Sequence, residues 1–163
     1  MTLPGAPAGA ALVPTPADTP LAQALIRELD AEIVERDPDG PIHGLHPGEH
    51  RDPRLRFFVL TVDGDPTGCG AVRQLEPEIA ELKRMFVCRA FRGQGLARVL
   101  IRQLEEVARG AGIRILKLET GPRQIEALGL YRSEGYADIP RYGEYVDSPD
   151  SICMQKLLST GDA

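Results

Sequence analysis

The sequence predicts one domain of mixed α/β (α/β or α+β) class, a mixed sheet with helices on both of its faces. Three observations carry that expectation. Extended and helix-period runs alternate along the chain, two extended runs in its middle flank an Asp-Gly turn, and the run at 113–119 is apolar on both sides, as a strand covered from two faces is. A length of 163 residues fits one domain with one core.

Each element has its own local reason. Residues 1–9 read as a disordered leader, because Pro, Gly and Ala offer no apolar face, and the single domain is expected over 10–163. Residues 10–15 suit a short edge strand. Asp18 then caps a helix over 20–36, in which Leu21, Leu25, Ile26, Leu29 and Ile33 recur at helical spacing. Residues 37–53, DPDGPIHGLHPGEHRDP, form a long loop dense in turn residues, and long loops in compact domains are often functional. The runs 55–62 and 68–74 around DGDP read as a hairpin, and 78–87 supplies a third strand. After RGQGLA at 92–97, the residues Leu96, Val99, Leu100, Leu104 and Val107 make one apolar helical face that runs to about Arg109 and stops at Gly110 and Gly112. A strand at 113–119, a helix at 124–133 stopped by Gly135, and a terminal strand at 151–157 complete the order.

Composition excludes several function classes. The chain is 42% apolar and 26% charged, with no apolar run near the roughly 20 residues that span a bilayer, so no membrane partner is expected. The N-terminal stretch lacks the basic start and continuous apolar segment of a secretion signal, which points to the cytoplasm. Cys69, Cys88 and Cys153 form no CxxC pair and are expected reduced and partly buried. With 24 acidic against 19 basic side chains and a net charge of −5, no nucleic-acid partner is expected, although 16 of the basic residues are arginine. His43, His46 and His50 lie in the long loop at spacings of three and four; no cysteine or carboxylate motif accompanies them, so they read as solvent-facing and no metal is expected.

RGQGLA asks for a more specific explanation. A strand that turns directly into a helix leaves several first-turn N–H groups unpaired, and glycines let a ligand approach them closely. The helix dipole and Arg92 add positive charge, so the turn suits a pyrophosphate. A Walker loop is excluded, since no Lys-Ser or Lys-Thr follows the glycines, and a dinucleotide fingerprint fails because Arg98 stands where its third glycine belongs. The pattern present is Arg/Gln-x-x-Gly-x-Gly/Ala, as Arg92, Gly95 and Ala97.

This loop stands in order with GCGAVR (68–73), ELKRMFVCRAFRGQGLARVLI (81–101), LETG (118–121) and QIEALGLYRSEGYADIPRYGEY (124–145). With those blocks the chain resembles the GCN5-related N-acetyltransferases from about residue 10 to its C-terminus. The resemblance implies a mostly antiparallel mixed sheet with a splayed strand pair, and acetyl-CoA as co-substrate without a metal. It implies that Met85, Phe86 and Val87 pair with the pantetheine arm, and that the N–H groups of Arg92, Gly93, Gln94, Gly95, Leu96 and Ala97 hold the pyrophosphate. Gln124 stands where relatives often have a pantetheine-contacting asparagine. Tyr131 matches the family's general acid, with an ordinary phenol pKa near ~10; its alternative is an aromatic stacked on the cofactor arm. Glu81, ranked first, or Glu119 would take the amine proton, and the N–H of Val87 would polarise the thioester carbonyl.

Cys153, without a histidine at recognisable spacing, is not read as a nucleophile. Arg141, Tyr142 and Tyr145 suit either a wall of the acceptor pocket or packing within their loop. The function implied is direct transfer of acetyl to an amine of a small molecule or peptide in a ternary complex. A non-catalytic acyl-CoA-binding sensor is the alternative, and an aminoacyl-tRNA acetyltransferase a weaker one given the acidic balance. The resemblance also allows a homodimer.

Overall fold

The computed structural model describes residues 5–45 and 48–159, which leaves the first four residues of the leader, His46, Pro47 and the last four residues outside. Seven strands form one sheet: β1 (Ala10–Pro14), β2 (Leu55–Val62), β3 (Asp65–Glu76), β4 (Ile79–Val87), β5 (Ile115–Thr120), β6 (Ala137–Ile139) and β7 (Ile152–Leu157). Their order is β1-β2-β3-β4-β5-β7-β6, and every adjacent pair is antiparallel except β4 and β5. The mixed, mostly antiparallel sheet is therefore as expected.

Three helices cover it: α1 (Pro20–Arg36), α2 (Leu96–Gly110) and α3 (Ile125–Ser133). Strand alternation sorts the core. Phe58 and Leu60 of β2 face α2 and α3 together with Leu82, Leu100, Leu104, Leu118 and Leu128, whereas Phe57 and Val59 face Leu25 and Ile26 of α1. Each such side chain contributes about 1.5–3 kcal/mol by leaving water.

Some details differ from the expectation. Thr19, not Asp18, caps α1: its hydroxyl accepts from the Ala22 N–H, and Pro20 follows in the first turn, where its missing N–H costs nothing. Leu21 falls off the buried face and is 41% exposed, while Ala22 takes its place. Strand β6 has three residues, too few to show a period, and was not expected. Within the long loop a single 3-10 turn forms at Glu49–Arg51.

The two glycines of GCGAVR have separate packing reasons. A Cβ on Gly68 would lie 2.4 Å from the Phe86 carbonyl oxygen, and one on Gly70 would meet Leu104 at 2.6 Å. Gly68 lets β4 approach β3, and Gly70 lets α2 settle on the sheet.

Candidate active site

A cleft opens where β4 and β5 part. The two strands pair only from Ile79–Glu81 against Ile115–Lys117; beyond this, β5 pairs only with β7, and the β5 side of β4 from Leu82 to Val87 has no ladder partner. The bend has a local cause. Between the pairs Cys69↔Phe86 and Ala71↔Lys83, β4 carries one residue more than β3, and Arg84 adopts the left-handed conformation at φ 57°. Such a bulge bends a strand, and a non-glycine residue in this conformation needs surrounding support. Part of that support is the buried Cys69 thiol, which donates to the Arg84 carbonyl over 3.4 Å. Burial pushes that thiol's pKa up to about 12, which keeps it a donor.

The glycine loop follows β4 after a 3-10 turn at Arg89–Phe91. Gly93 and Gly95 have φ 83° and 77°, and among the described residues no heavy atom lies within 4 Å of where a Cβ would stand on either. Their conformation needs glycine, and the space beside it is open. Among the described residues, none accepts a hydrogen bond from the N–H groups of Gly93, Gln94, Gly95, Leu96, Ala97 or Arg98. These groups sit at the positive end of α2. The Leu96 side chain is core, so that residue contributes only its backbone here.

Arg92 is placed differently from the free cation expected. Its two terminal nitrogens bind both Glu32 carboxylate oxygens of α1 at 2.6 Å, its Nε donates to the Val87 carbonyl at 2.9 Å, and its N–H donates to the Arg89 carbonyl. The guanidinium also lies 5.5 Å from the Phe86 ring centroid. A bidentate carboxylate on a helix out-competes open solvent for a planar guanidinium. Hydrogen bonding to Arg92, opposed by burial, holds the Glu32 carboxyl below its usual pKa. Arg92 thus ties the loop to α1.

Met85, Gln124, Tyr131 and Glu119 all line the cleft, which encloses about 150 Å³. Phe86 and Val87 are buried; the Phe86 carbonyl points toward Gly68 of β3, contrary to the pairing edge expected there, and the Val87 carbonyl accepts from Arg92 Nε. Gln124 occupies the residue before α3 and makes no cap bond with its side chain. Tyr131 is buried at 7% exposure, with its ring edge-on to Tyr136 at 6.0 Å. Burial, and then the charge of Glu119, push its phenol pKa up to about 12 rather than leaving it near the ordinary value.

The two glutamates have unequal surroundings. Glu81 is 2% exposed and accepts from the Tyr142 hydroxyl at 2.6 Å, with Tyr145 bonded to the same carboxylate and Lys83 Nζ 3.8 Å away. Burial first, and then the Glu81 charge, raise the pKa of both phenols. Tyr142 and Tyr145, 5.3 Å apart and edge to face, therefore serve the site by holding this carboxylate, and Tyr145 also lines the cleft. Glu119 instead faces the opening, accepting from Ser151 Oγ at 2.8 Å, and burial raises its pKa.

One contributor was unexpected. His43, read from sequence as solvent-facing, lines the cleft: its Nε2 lies 3.7 Å from Glu119 Oε2 and 3.2 Å from Ser148 Oγ, and its ring stands edge-on to Tyr145 at 4.9 Å. The only sequence signal for it is the length of its loop. Cys153 is buried in the sheet beside Glu119, and burial raises its pKa, which disfavours a thiolate. Among the described residues, no group of three or more His, Cys, Asp or Glu could hold a metal ion, and no helix is long and apolar enough to cross a membrane.

The splayed parallel pair and the buried tyrosine share one cleft, the N–H-lined turn follows the splayed strand in the chain, and the sequence matches the acetyltransferase (GNAT) family over residues 22–136. The chain belongs to the GNAT family. An IAA acetyltransferase of Azospirillum brasilense is 38% identical over 145 residues, covering 86% of this chain and 95% of that one. A proposed acyl-CoA N-acyltransferase from Klebsiella pneumoniae, solved by crystallography, superposes with TM-score 0.77 at 28% identity, over 92% of this chain and 98% of that one. A GNAT acetyltransferase from Elizabethkingia anophelis, with acetyl-CoA bound, shares the fold at TM-score 0.69 and 19% identity, over 93% and 100%. GNAT membership accounts for the order of the sequence blocks.

Proposed function

We propose that this GNAT protein is an acetyl-CoA-dependent N-acetyltransferase that moves the acetyl group to an amine by direct attack in a ternary complex. The observation that carries the reading is that Tyr131 and Glu119 line one cleft with Leu82 to Met85 of the splayed strand β4, which leads on to a glycine loop whose N–H groups are unpaired among the described residues. The residues fit acetyl-CoA. The N–H groups from Gly93 to Arg98 suit its pyrophosphate, with the helix dipole in place of the Arg92 guanidinium. The edge of β4 that β5 leaves unpaired, at Met85 and the Val87 N–H, suits the amides of an extended arm, and Gln124 lines the same cleft as Met85.

Acetyl-CoA supplies an activated thioester. Glu119 takes the proton of the attacking nitrogen, and its raised pKa makes it a stronger base than an exposed carboxylate. As the C–N bond forms and the C–S bond breaks, Tyr131 offers its phenol proton to the departing sulfur; a pKa pushed up to about 12 keeps that proton in place at neutral pH. Glu81, already engaged with Tyr142 and Tyr145, serves as their anchor. His43 and Ser151 orient Glu119.

Calorimetric titration with acetyl-CoA, desulfo-CoA and ATP, followed by thiol release with a panel of amines, tests this reading. Binding that needs the pantetheine arm together with amine-dependent thiol release supports it. Binding without release from any amine favours an acyl-CoA sensor, and no binding removes the cofactor assignment.

A further inference from the structure

Two buried basic residues of the cleft wall carry donors left unfilled among the described residues. The side chains of Lys83 and Arg84 are 2% and 4% exposed, and among the described residues neither Lys83 Nζ nor Arg84 Nε has a hydrogen-bond partner. Both line the cleft, although neighbours on a regular strand point to opposite faces. The left-handed Arg84 breaks that alternation.

The carboxylates nearby leave these donors open. Glu81 and Glu144 lie 3.8 and 3.6 Å from Lys83 Nζ, beyond good hydrogen-bonding distance, and Arg84 pairs with Asp30 through one terminal nitrogen. Asp37, also in the lining, lies 3.7 Å from Arg123 Nε. Burying a cation is costly unless all its donors are engaged, and most buried donors in native proteins are engaged. A ligand carboxylate entering the cleft would satisfy Lys83 and Arg84 together, as a bifurcated anion between two cations. Across the same opening, Glu119 and His43 offer acceptor groups to an amine. The enclosed volume of about 150 Å³ matches a void that takes up a molecule of benzene's size, so the occupant is small.

We infer that the acceptor is a small zwitterion, an amino acid or a close relative, whose carboxylate is held by Lys83 and Arg84 while its amine is turned toward Glu119. The inference rests on the acetyl-transfer reading.

The test is steady-state thiol release from acetyl-CoA with L-amino acids and β-alanine, each beside its carboxamide and its decarboxylated amine, and with acetyl-CoA affinity measured separately. At least one free acid is expected to exceed its carboxamide by about 10- to 100-fold in kcat/KM, the range of a lost hydrogen bond to a charged group. Lys83→Met is expected to raise KM for that acid about tenfold or more and to erase most of the acid-to-amide ratio, with acetyl-CoA affinity retained. The ratio in the unsubstituted protein is informative even where a variant fails to fold. Equal or better turnover of the carboxamides or decarboxylated amines overturns the inference and leaves acetyl transfer standing. So does acid selectivity that survives both Lys83→Met and Arg84→Gln. Acetyl-CoA binding with no member of the panel acetylated also counts against it. Absence of acetyl-CoA binding overturns the inference together with the reading beneath it.

Discussion

Gly95→Ala separates a ligand cradle from a mere tight turn. Gly95 precedes α2 at φ 77°, and a Cβ there meets no heavy atom within 4 Å. The substitution therefore creates no clash, and its stability cost is the left-handed backbone alone, about 1–2 kcal/mol. In a chain of 163 residues, that lowers the melting temperature by roughly 2–8 °C. The effect on acetyl-CoA is larger, because the methyl group stands in the open space beside the unpaired N–H groups. Disturbing two hydrogen bonds to a charged phosphate, each contributing about 1.5–3 kcal/mol, lowers affinity by roughly 10²- to 10⁴-fold. The control is Gly112→Ala: φ is 81°, its Cβ position is equally open, and it lies just beyond the other end of α2. Melting by scanning fluorimetry and acetyl-CoA titration by calorimetry, run on both variants, give the comparison. Equal melting shifts with affinity lost only in Gly95→Ala are expected; unchanged affinity in Gly95→Ala would refute the cradle.

Three further substitutions address the chemistry and its support. Glu119→Gln is expected to lower kcat by about 10²- to 10⁴-fold, the usual contribution of a general base, whereas Glu81→Gln lowers it less. Burial raises the Glu119 pKa, so the wild-type rate falls with decreasing pH at values above the ordinary carboxylate range, and that limb disappears in Glu119→Gln. Tyr131→Phe removes a hydroxyl that makes no hydrogen bond among the described residues; it is expected to cut kcat by at least about 10²-fold while melting temperature and acetyl-CoA affinity stay near wild type. A full retained rate excludes it as the acid. Glu32→Gln loses the Arg92 pair and lowers stability at neutral pH. Because the Glu32 pKa is depressed in the fold, its stabilisation is full above the unfolded carboxylate pKa and fades as pH falls through the folded value, so urea melts of variant and wild type converge in acid.

The parts of the fold that depend on local pattern were legible. Leu96, Val99, Leu100 and Leu104 recur at the helical period and are all buried in α2. The Asp-Gly turn between β2 and β3 has positive φ at both residues, 51° and 85°, as the hairpin reading requires. The glycine loop was legible for the same reason, since its conformation follows from residue type. Long-range pairing was not. His43 reaches the cleft through Ser148, 105 residues away, and the partner of Arg92 is Glu32, 60 residues away. Neither spacing leaves a trace in a single sequence. The turn at Arg84 is hidden for a different reason, because an arginine carries no intrinsic preference for positive φ and only the register of β3 against β4 imposes it.

Helix α1 links the two halves of the site. Its Glu32 grips Arg92 at the start of the glycine loop, its Asp30 pairs with Arg84 at the strand bulge, and its C-terminal end leads into the loop that carries His43. The cofactor loop, the bulge that opens the sheet and the acceptor-side histidine are thus referred to one rigid element. Movement of α1 by one ångström would loosen the bidentate pair and alter the approach of His43 to Glu119 together. Charge pairs across a helix face are a poor way to gain stability at a surface. They are an effective way to hold three irregular segments in register, since hydrogen-bonded geometry tolerates less displacement than apolar packing does. On that argument Arg92 acts chiefly as a positioning group.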